Sequence, residues 1–325
     1  MRAVWLAEFG PPSVLKVAET PEPEVGPDQV LIDVTFVNVT FVETQVRAGA
    51  GPFPVELPMI PGNGVGGTVA AVGAQVDPAM LGRRVVSGTG GSGAYAERVA
   101  VPARWVVPVP EQLPLDEAVA LLADGRTALL LHEAVGVRAG DRVLVEAAAG
   151  GVGTLLVQLA RAAGGRVVAA AGGADKGEVP RRLGAEVVVD YRRSDWPQQV
   201  RAAIDGVDVV FDGVGGDVAH TAFGLLDRGG RMISFGLASG EWAAVGTDEA
   251  AQRGVTVLQL PGAPPERLRE YAARAVAEAA AGRLRPVIGQ RLPLEQAADA
   301  HAAIEARATV GKTLLEVRPP GGGRI

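Results

Sequence analysis

A chain of 325 residues, 48% of them hydrophobic, exceeds what one small core requires and predicts two domains; it holds no apolar run near the length of a membrane span. Zero cysteines exclude disulfides, a thiolate nucleophile and every zinc site built on sulfur, and a formal charge of −6 gives no electrostatic reason to expect nucleic acid or an acidic membrane as partner. An acid and a Pro-Pro pair interrupt the opening "MRAVWLAEFGPPS", which is no signal peptide, so a cytoplasmic location is expected.

Residues 1–115 read as short β-type runs broken by Pro and Gly: "VLIDVTFVNV", "GTVAAVG", "RRVVSG", "AYAERVAV" and "WVVPVP". Such runs predict a compact, barrel-like β domain. From "LPLDEAVALLADGRTALLLHEA" the spacing turns helical, with Leu121, Leu122, Leu129, Leu130 and Val135 on one buried face. Strands then alternate with helices. The strands fall at 142–146, 166–171, 186–190, 207–212, 231–236 and 255–260, and the helices near 152–163, 177–183, 197–204 and 217–227. Pro180 lies inside the second helix unless that helix starts late. Nearly continuous β-branched strands in this alternation imply a parallel sheet covered on both faces, and six of them fit the doubly wound dinucleotide fold. After Pro264 an amphipathic helix runs to Gly282; a further helix and a last strand then return the chain to its first domain. The tail "RPPGGGRI" has linker composition, which predicts fraying.

The run Ala148-Ala149-Gly150-Gly151-Val152-Gly153 is a GxGxxG form with alanine in first place, set between a strand and a helix. Glycines there make the tight bend, admit a pyrophosphate to the backbone, and let the helix pack close to the strand. The helix N-terminus at 151–153 offers unpaired N–H groups to an anion. A cofactor with a free ribose 2′-OH asks for Asp or Glu at the end of the next strand. Here "RVVAAAGGADK" places Gly172 and Gly173 at that end, with Lys176 three residues on, which suits a 2′-phosphate and hence NADPH; Asp175, if turned inward, would oppose this. Lys176 is one of three lysines, with Lys16 and Lys312, among 31 basic residues. Tyr191 and Arg192, after the third strand, are placed to face the same phosphate or to lie on a solvated surface. Gly213, Val214, Phe235 and Gly236 follow later strands at their carboxyl ends, where open sheets bind ligands, although a strand phenylalanine is usually core.

Several separated segments carry a resemblance: "MRAVWLAEFGPPSVLKV", "GAYAERVAVP", "AAAGGVG", "VVVDYR", "DVVFDGVGG", "GGRMISFG" and "LPLEQAADAHAAIEARATVGKTLLEV". Together they resemble the zinc-independent quinone oxidoreductases of the medium-chain dehydrogenase/reductase superfamily. The resemblance implies a split GroES-like catalytic domain, residues 1–120 and 262–325, around a Rossmann domain at 121–261, with the cofactor in the cleft between them. It also implies a homodimer joined through edge strands of the Rossmann sheets, a role compatible with "RGGRMISFG". By the same resemblance, "VTFVETQVRAG" lines the nicotinamide side, with Thr40 where many members carry Asn and Glu43 where they carry Asp. Gln45 stands at a place often aromatic, and Arg47 anchors structure. Thr127 in "DGRTALLL" matches a cofactor-contacting threonine, and Asp124 before it reads as a polar pocket wall or a helix cap. Zinc-bearing relatives place a His-Glu pair where this chain has Asn63-Gly64. An amide oxygen is a poor zinc ligand and the histidines are scattered at 132, 220 and 301, so no catalytic metal is expected. His132 and His301 read as packing residues in helices.

Hydride transfer asks the protein to hold the nicotinamide against an electrophilic carbon and to exclude water. Quinones and conjugated enones accept hydride without a Lewis acid; simple alcohols and their alkoxides are harder without zinc. Thr40, Glu43, Thr127 and Tyr95 are the catalytic candidates. Tyr95 in "GAYAER" either donates to an oxyanion or packs in the core with its hydroxyl satisfied. Ser87, Ser92 and Ser234 lie in no nucleophile-elbow context. The expected activity is therefore NADPH-dependent reduction of quinones or α,β-unsaturated carbonyls. An enoyl-thioester reductase and a non-catalytic NADP(H)-binding sensor or structural dimer are the alternatives.

Overall fold

Strand β1 (Arg2–Leu6) pairs antiparallel with β2 (Leu15–Glu19) in the computed structural model, which describes residues 1–259 and 262–317. Residues 260 and 261, where the last strand candidate ends and the expected domain boundary falls, lie outside the described residues, as does the tail 318–325. The long β3 (Gln29–Val39) pairs antiparallel with β4 (Val65–Val72) and β6 (Arg98–Pro102), among other partners, and from β4 the sheet continues through β5 (Arg84–Ser87) to β7 (Val107–Pro108). The register of β3 against β4 shifts between Leu31 and Ile32 and again between Val34 and Phe36. Such bulges add local twist and let the sheet curve around its core. Helix α1 (Phe41–Arg47) leaves β3 after Thr40.

Two compact units divide the chain, 1–126 with 264–317 and 127–263, so the division falls inside helix α2 (Leu115–Val135). In the second unit β8 (Arg142–Val145), α3 (Gly151–Ala162), β9 (Arg166–Ala171), α4 (Glu178–Arg182), β10 (Val187–Asp190) and α5 (Trp196–Ile204) follow in strict alternation. The alternation continues with β11 (Val207–Asp212), α6 (Gly216–Leu225), β12 (Leu226–Ser234), α7 (Thr247–Arg253) and β13 (Thr256–Leu258). The strands pair in parallel in the order β10-β9-β8-β11-β12-β13. This is the doubly wound dinucleotide order, with the reversal between β8 and β11. Pro180 is the third residue of α4, in the first turn, where a missing N–H breaks no intrahelical bond.

Three departures have local causes. Strand β12 begins at Leu226, where the sequence predicts helix. Leu226 pairs with Val207 and Arg231 with Val209, so 227–230, including Gly229 and Gly230, stand against a single residue in a bulge invisible to apolar periodicity. Helix α7 buries only Ala250 and so carries no periodic apolar stripe to read. The segment "RGGRMISFG" lies near the sheet edge, in β12, but the edge strand itself is β13, which pairs with β12 and is only three residues long.

The chain returns to the first unit through α8 (Pro265–Ala280), β14 (Ile288–Pro293), α9 (Ala297–Glu305) and β15 (Lys312–Glu316). Strand β15 runs antiparallel to β3 and parallel to β14, giving the order β14-β15-β3-β4-β5-β7. Leu294, Ala297, Ala300 and Leu315 thereby join Val4, Leu6, Ile32, Val37 and Val65 in one core. No helix among the described residues is long and apolar enough to cross a membrane.

Candidate functional site

The glycine run forms the connection from β8 to α3. Gly150 caps the helix with extended backbone, and its N–H returns to Ala147 O at 2.8 Å, closing a tight turn. Thr154 N–H to Gly150 O, at 2.9 Å, is the first bond of the helix ladder. The N–H groups of Gly151, Val152 and Gly153 belong to the first turn and have no intrahelical acceptor, the arrangement that favours an anion. Gly153 is required for approach, since a Cβ there would run into Ala147 O and come within 2.8 Å of Ala148 Cα. The left-handed residue of the turn is Ala147, at φ 46°, one position ahead of the motif's alanine. Ala148 itself is buried, with its N–H donated to Ala170 O at 3.1 Å, so it supports the turn from below.

The ends of β9 and β10 converge beside it. A Cβ on Gly172 would stand 2.5 Å from the Tyr191 hydroxyl, and one on Gly173 would stand 2.8 Å from Arg192 Nη2. Asp190 organises the corner: its Oδ1 accepts the Gly173 and Arg192 N–H groups, each at 3.0 Å, and its Oδ2 pairs with Arg192 Nη2 at 3.1 Å. These bonds hold the Asp190 carboxyl below its ordinary range against the opposing effect of burial. Lys176 ends a short turn over Ala174–Lys176 and gives its N–H to Gly173 O at 3.2 Å, while Asp175 is exposed. Gly172, Gly173, Tyr191 and Arg192 are thus brought together, with no carboxylate at the end of β9.

Gly213, Val214, Phe235 and Gly236 meet at the ends of β11 and β12. Phe235 lies beyond β12 and is half-buried, not core; a Cβ on Gly213 would touch its ring at 2.7 Å and Ala147 Cβ at 3.1 Å. Asp212 Oδ1 accepts from Val214 N–H at 2.9 Å and Gly215 N–H at 2.7 Å and so shapes the turn, and the buried Glu146 directly follows β8 alongside.

In the first unit, Glu43 is the third residue of α1 and reaches back to accept the Thr40 N–H at 2.8 Å, one half of a capping box. Its other oxygen accepts from Asn63 N–H at 3.0 Å. Tyr95 is fully buried; its hydroxyl donates to Glu43 Oε2 at 2.9 Å and lies 2.9 Å from His301 Nε2. With the tyrosine proton given to Glu43, the network assigns the remaining bond to an Nε2–H of His301. His301, read from sequence as a packing residue, is therefore the third member of this buried chain and carries a polar bond. Burial, aided by the nearby Arg47 cation, pushes its pKa down to about 3. Burial also raises the Glu43 carboxyl, opposed by the Thr40 N–H, Lys312, Tyr95 and the Asn63 N–H. Arg47 bonds Gly10 O and Glu305, a structural anchor. Asp124 lies inside α2 and is no cap: buried, it pairs with Lys312 Nζ at 2.9 Å.

Thr40 and Thr127 are half-buried, Thr40 in the first unit and Thr127 on α2 in the second. Asn63 Oδ1 accepts from Gly91 N–H at 2.8 Å and Thr89 N–H at 3.3 Å, which occupies it in its own loop. The signal for Glu43 was in the sequence: "TFVE" has the spacing of a capping box. His301 and Asp190 carried no such signal, because their partners are remote in sequence or in another strand.

Two family models match the chain, an alcohol dehydrogenase GroES-like domain over residues 26–111 and a zinc-binding dehydrogenase over 183–315. A probable quinone oxidoreductase of Schizosaccharomyces pombe is 37% identical, with 96% of each chain covered. Among solved structures, Escherichia coli quinone oxidoreductase complexed with NADPH matches with a TM-score of 0.89 at 28% identity, over 98% of this chain and 100% of that one. An NAD-dependent alcohol dehydrogenase matches with a TM-score of 0.89 at 32% identity over the same shares.

Proposed function

Because the chain belongs to the quinone oxidoreductase family of the medium-chain dehydrogenase/reductase superfamily, and is an NAD(P)H oxidoreductase, we propose that it uses NADPH to reduce quinones or α,β-unsaturated carbonyls without a metal ion. The observation that carries the cofactor choice is the corner at Gly172 and Gly173, where Tyr191 and Arg192 press against side-chain-free positions, β9 itself ends without a carboxylate, and the neighbouring Asp190 is engaged by Arg192 and the Gly173 N–H. Lys176 and Arg192 supply the positive charge for a 2′-phosphate. The N–H groups of 151–153 hold the pyrophosphate, and Gly213, Val214, Phe235 and Gly236 line the path toward the nicotinamide. When bound, the cofactor supplies the hydride.

The first unit serves as the catalytic domain in this reading, with Thr40 its contact to the acceptor, and Thr127 of the second unit is a contact to the cofactor. Glu43 and Tyr95 act as positioning residues: their polar atoms are engaged with one another and with Thr40, Asn63 and His301, so they fix Thr40 in place and leave oxyanion stabilisation to hydroxyl donors and solvent. Metal independence is supported by residue type. Asn63 and Gly64 occupy the positions of a ligand pair, the Asn63 oxygen is already hydrogen-bonded, and the chain has no thiolate. Reduction of a conjugated acceptor suits such a site, because the charge left by hydride is delocalised. The protein acts as a cytoplasmic homodimer on a small-molecule acceptor.

Consumption of NADPH and NADH against naphthoquinones, small enones and enoyl thioesters tests the reading. Turnover of quinones or enones with NADPH is expected. Preference for NADH would overturn the assignment at 172–176, and tight NADPH binding with no acceptor reduced would leave a binding protein.

A further inference from the structure

Glu146 directly follows β8 and Asp212 ends the neighbouring strand β11, on either side of the point where the strand order reverses. Both side chains are fully buried. One oxygen of Asp212 holds the two backbone amides of its own turn. The other three carboxyl oxygens, Glu146 Oε1 and Oε2 and Asp212 Oδ2, make no well-formed hydrogen bond to a donor among the described residues; the Val214 N–H, bonded to Asp212 Oδ1, only partly eases the Glu146 charge. Two buried carboxylates side by side cannot both be ionised, since each pays desolvation and the like charges repel.

The surrounding elements bring no relief. Arg142, at the far end of β8, pairs with Asp208 and Asp227; Arg161 of α3 and Arg166 of β9 pair with Glu186; Arg231 of β12 pairs with Asp141. On α6, Asp217 and His220 are exposed, as is Arg228 of β12, and Thr154 of α3 gives its hydroxyl to Gly151 O. Burial and the facing Asp212 together push the Glu146 carboxyl well above the usual carboxylate range.

We propose that Glu146 and Asp212 share one proton, the Glu146 O–H donating to Asp212 Oδ2, and that this bond ties the turn after β8 to the turn after β11 at the spacing the dinucleotide requires. The pair is a positioning element, and its role in binding rests on the reading of the glycine turn as the cofactor seat. Two further features support it. Glu146 directly precedes Ala147, the residue held at φ 46°, and Gly213 directly follows Asp212, where a side chain would run into the Phe235 ring and Ala147 Cβ.

The sign of the pH effect follows from linkage. In the unfolded chain Glu146 gives up its proton in the ordinary carboxylate range; in the folded chain it does so only at higher pH. Folded stability from this group is therefore complete at low pH and is lost as pH rises across that interval. Glu146→Gln keeps an N–H donor toward Asp212 and has no proton to lose. Thermal unfolding of the cofactor-free protein from about pH 5 to about pH 9 should show a Tm advantage of Glu146→Gln over wild type that widens with pH. In NADPH titrations at neutral pH, Glu146→Leu should bind about tenfold more weakly than wild type, and Glu146→Gln should recover affinity to within about twofold. Parallel Tm profiles for wild type and Glu146→Gln would overturn the shared proton. A Glu146→Leu protein that binds NADPH as tightly as wild type would overturn the positioning role. Glu146→Ala replaces Leu if that variant does not fold. Asp212→Asn, whose amide donates to Glu146 while its oxygen keeps both backbone bonds, removes the facing charge but leaves Glu146 buried, so it should flatten the pH profile only in part. If even wild type fails to bind NADPH, the cofactor seat itself is misread and the positioning role falls with it, while the Tm profiles still decide the shared proton.

Discussion

Tyr95 illustrates how burial changes what a residue can do. As a sequence letter it is an acid with a proton to offer; fully buried between Glu43 and His301, it has already placed that proton. Tyr95→Phe removes one donor from a buried carboxylate and the acceptor of His301, so thermal or denaturant unfolding should show a loss of about 1–3 kcal/mol. His301 adds a pH dependence of defined sign. Its pKa is pushed down to about 3, so the unfolded chain takes up a proton near the ordinary histidine value while the folded chain does not. Stability from His301 is thus complete above about pH 6.5 and falls as the pH drops toward its folded pKa. His301→Gln should make the acid limb of a Tm–pH profile shallower; an unchanged limb would mean that the imidazole is not held neutral.

At the scale of elements, the strand–turn–helix at 142–162 was legible because three local requirements coincide in one short stretch: β-branched strand, glycine bend, apolar helix. Gly153→Ala forces backbone to shift at Ala147 O, and NADPH affinity should fall about tenfold or more, as read by fluorescence titration. The neighbouring corner was legible only in part. The missing carboxylate at Gly172 and Gly173 could be read, but Asp190 joining Gly173 to Arg192 could not, since the two segments meet only when β10 pairs with β9. Arg192→Ala should raise the Kd for NADPH by about tenfold and leave NADH nearly unchanged, the loss of one charge-assisted contact to a phosphate. Lys176→Glu should act in the same direction. Equal losses for both cofactors would mean that the corner shapes the fold and does not read the 2′-phosphate.

For the whole molecule, the edge of the parallel sheet decides where a second copy can add. With β12 covered, the open edge on that side is β13, where Thr256 and Val257 are exposed. An exposed strand edge is a template for pairing with another chain. Light scattering should therefore give a dimer mass, and Val257→Arg should shift it toward monomer; a dimer unaffected by that change would place the interface elsewhere. The sequence by itself determined the layer types, the six-strand alternation, the return of the C-terminal segment to the first unit and the strand–turn–helix form of the glycine run. Each of these rests on periodicity or on residue type within a short window, which survives without knowledge of the fold. Only the tertiary structure decided that Tyr95, Glu43 and His301 form one buried chain, that Lys312 answers Asp124, and that Glu146 lies against Asp212. Their partners are separated by tens to hundreds of positions, and the desolvation that turns ordinary side chains into a coupled group exists only after the strands have packed.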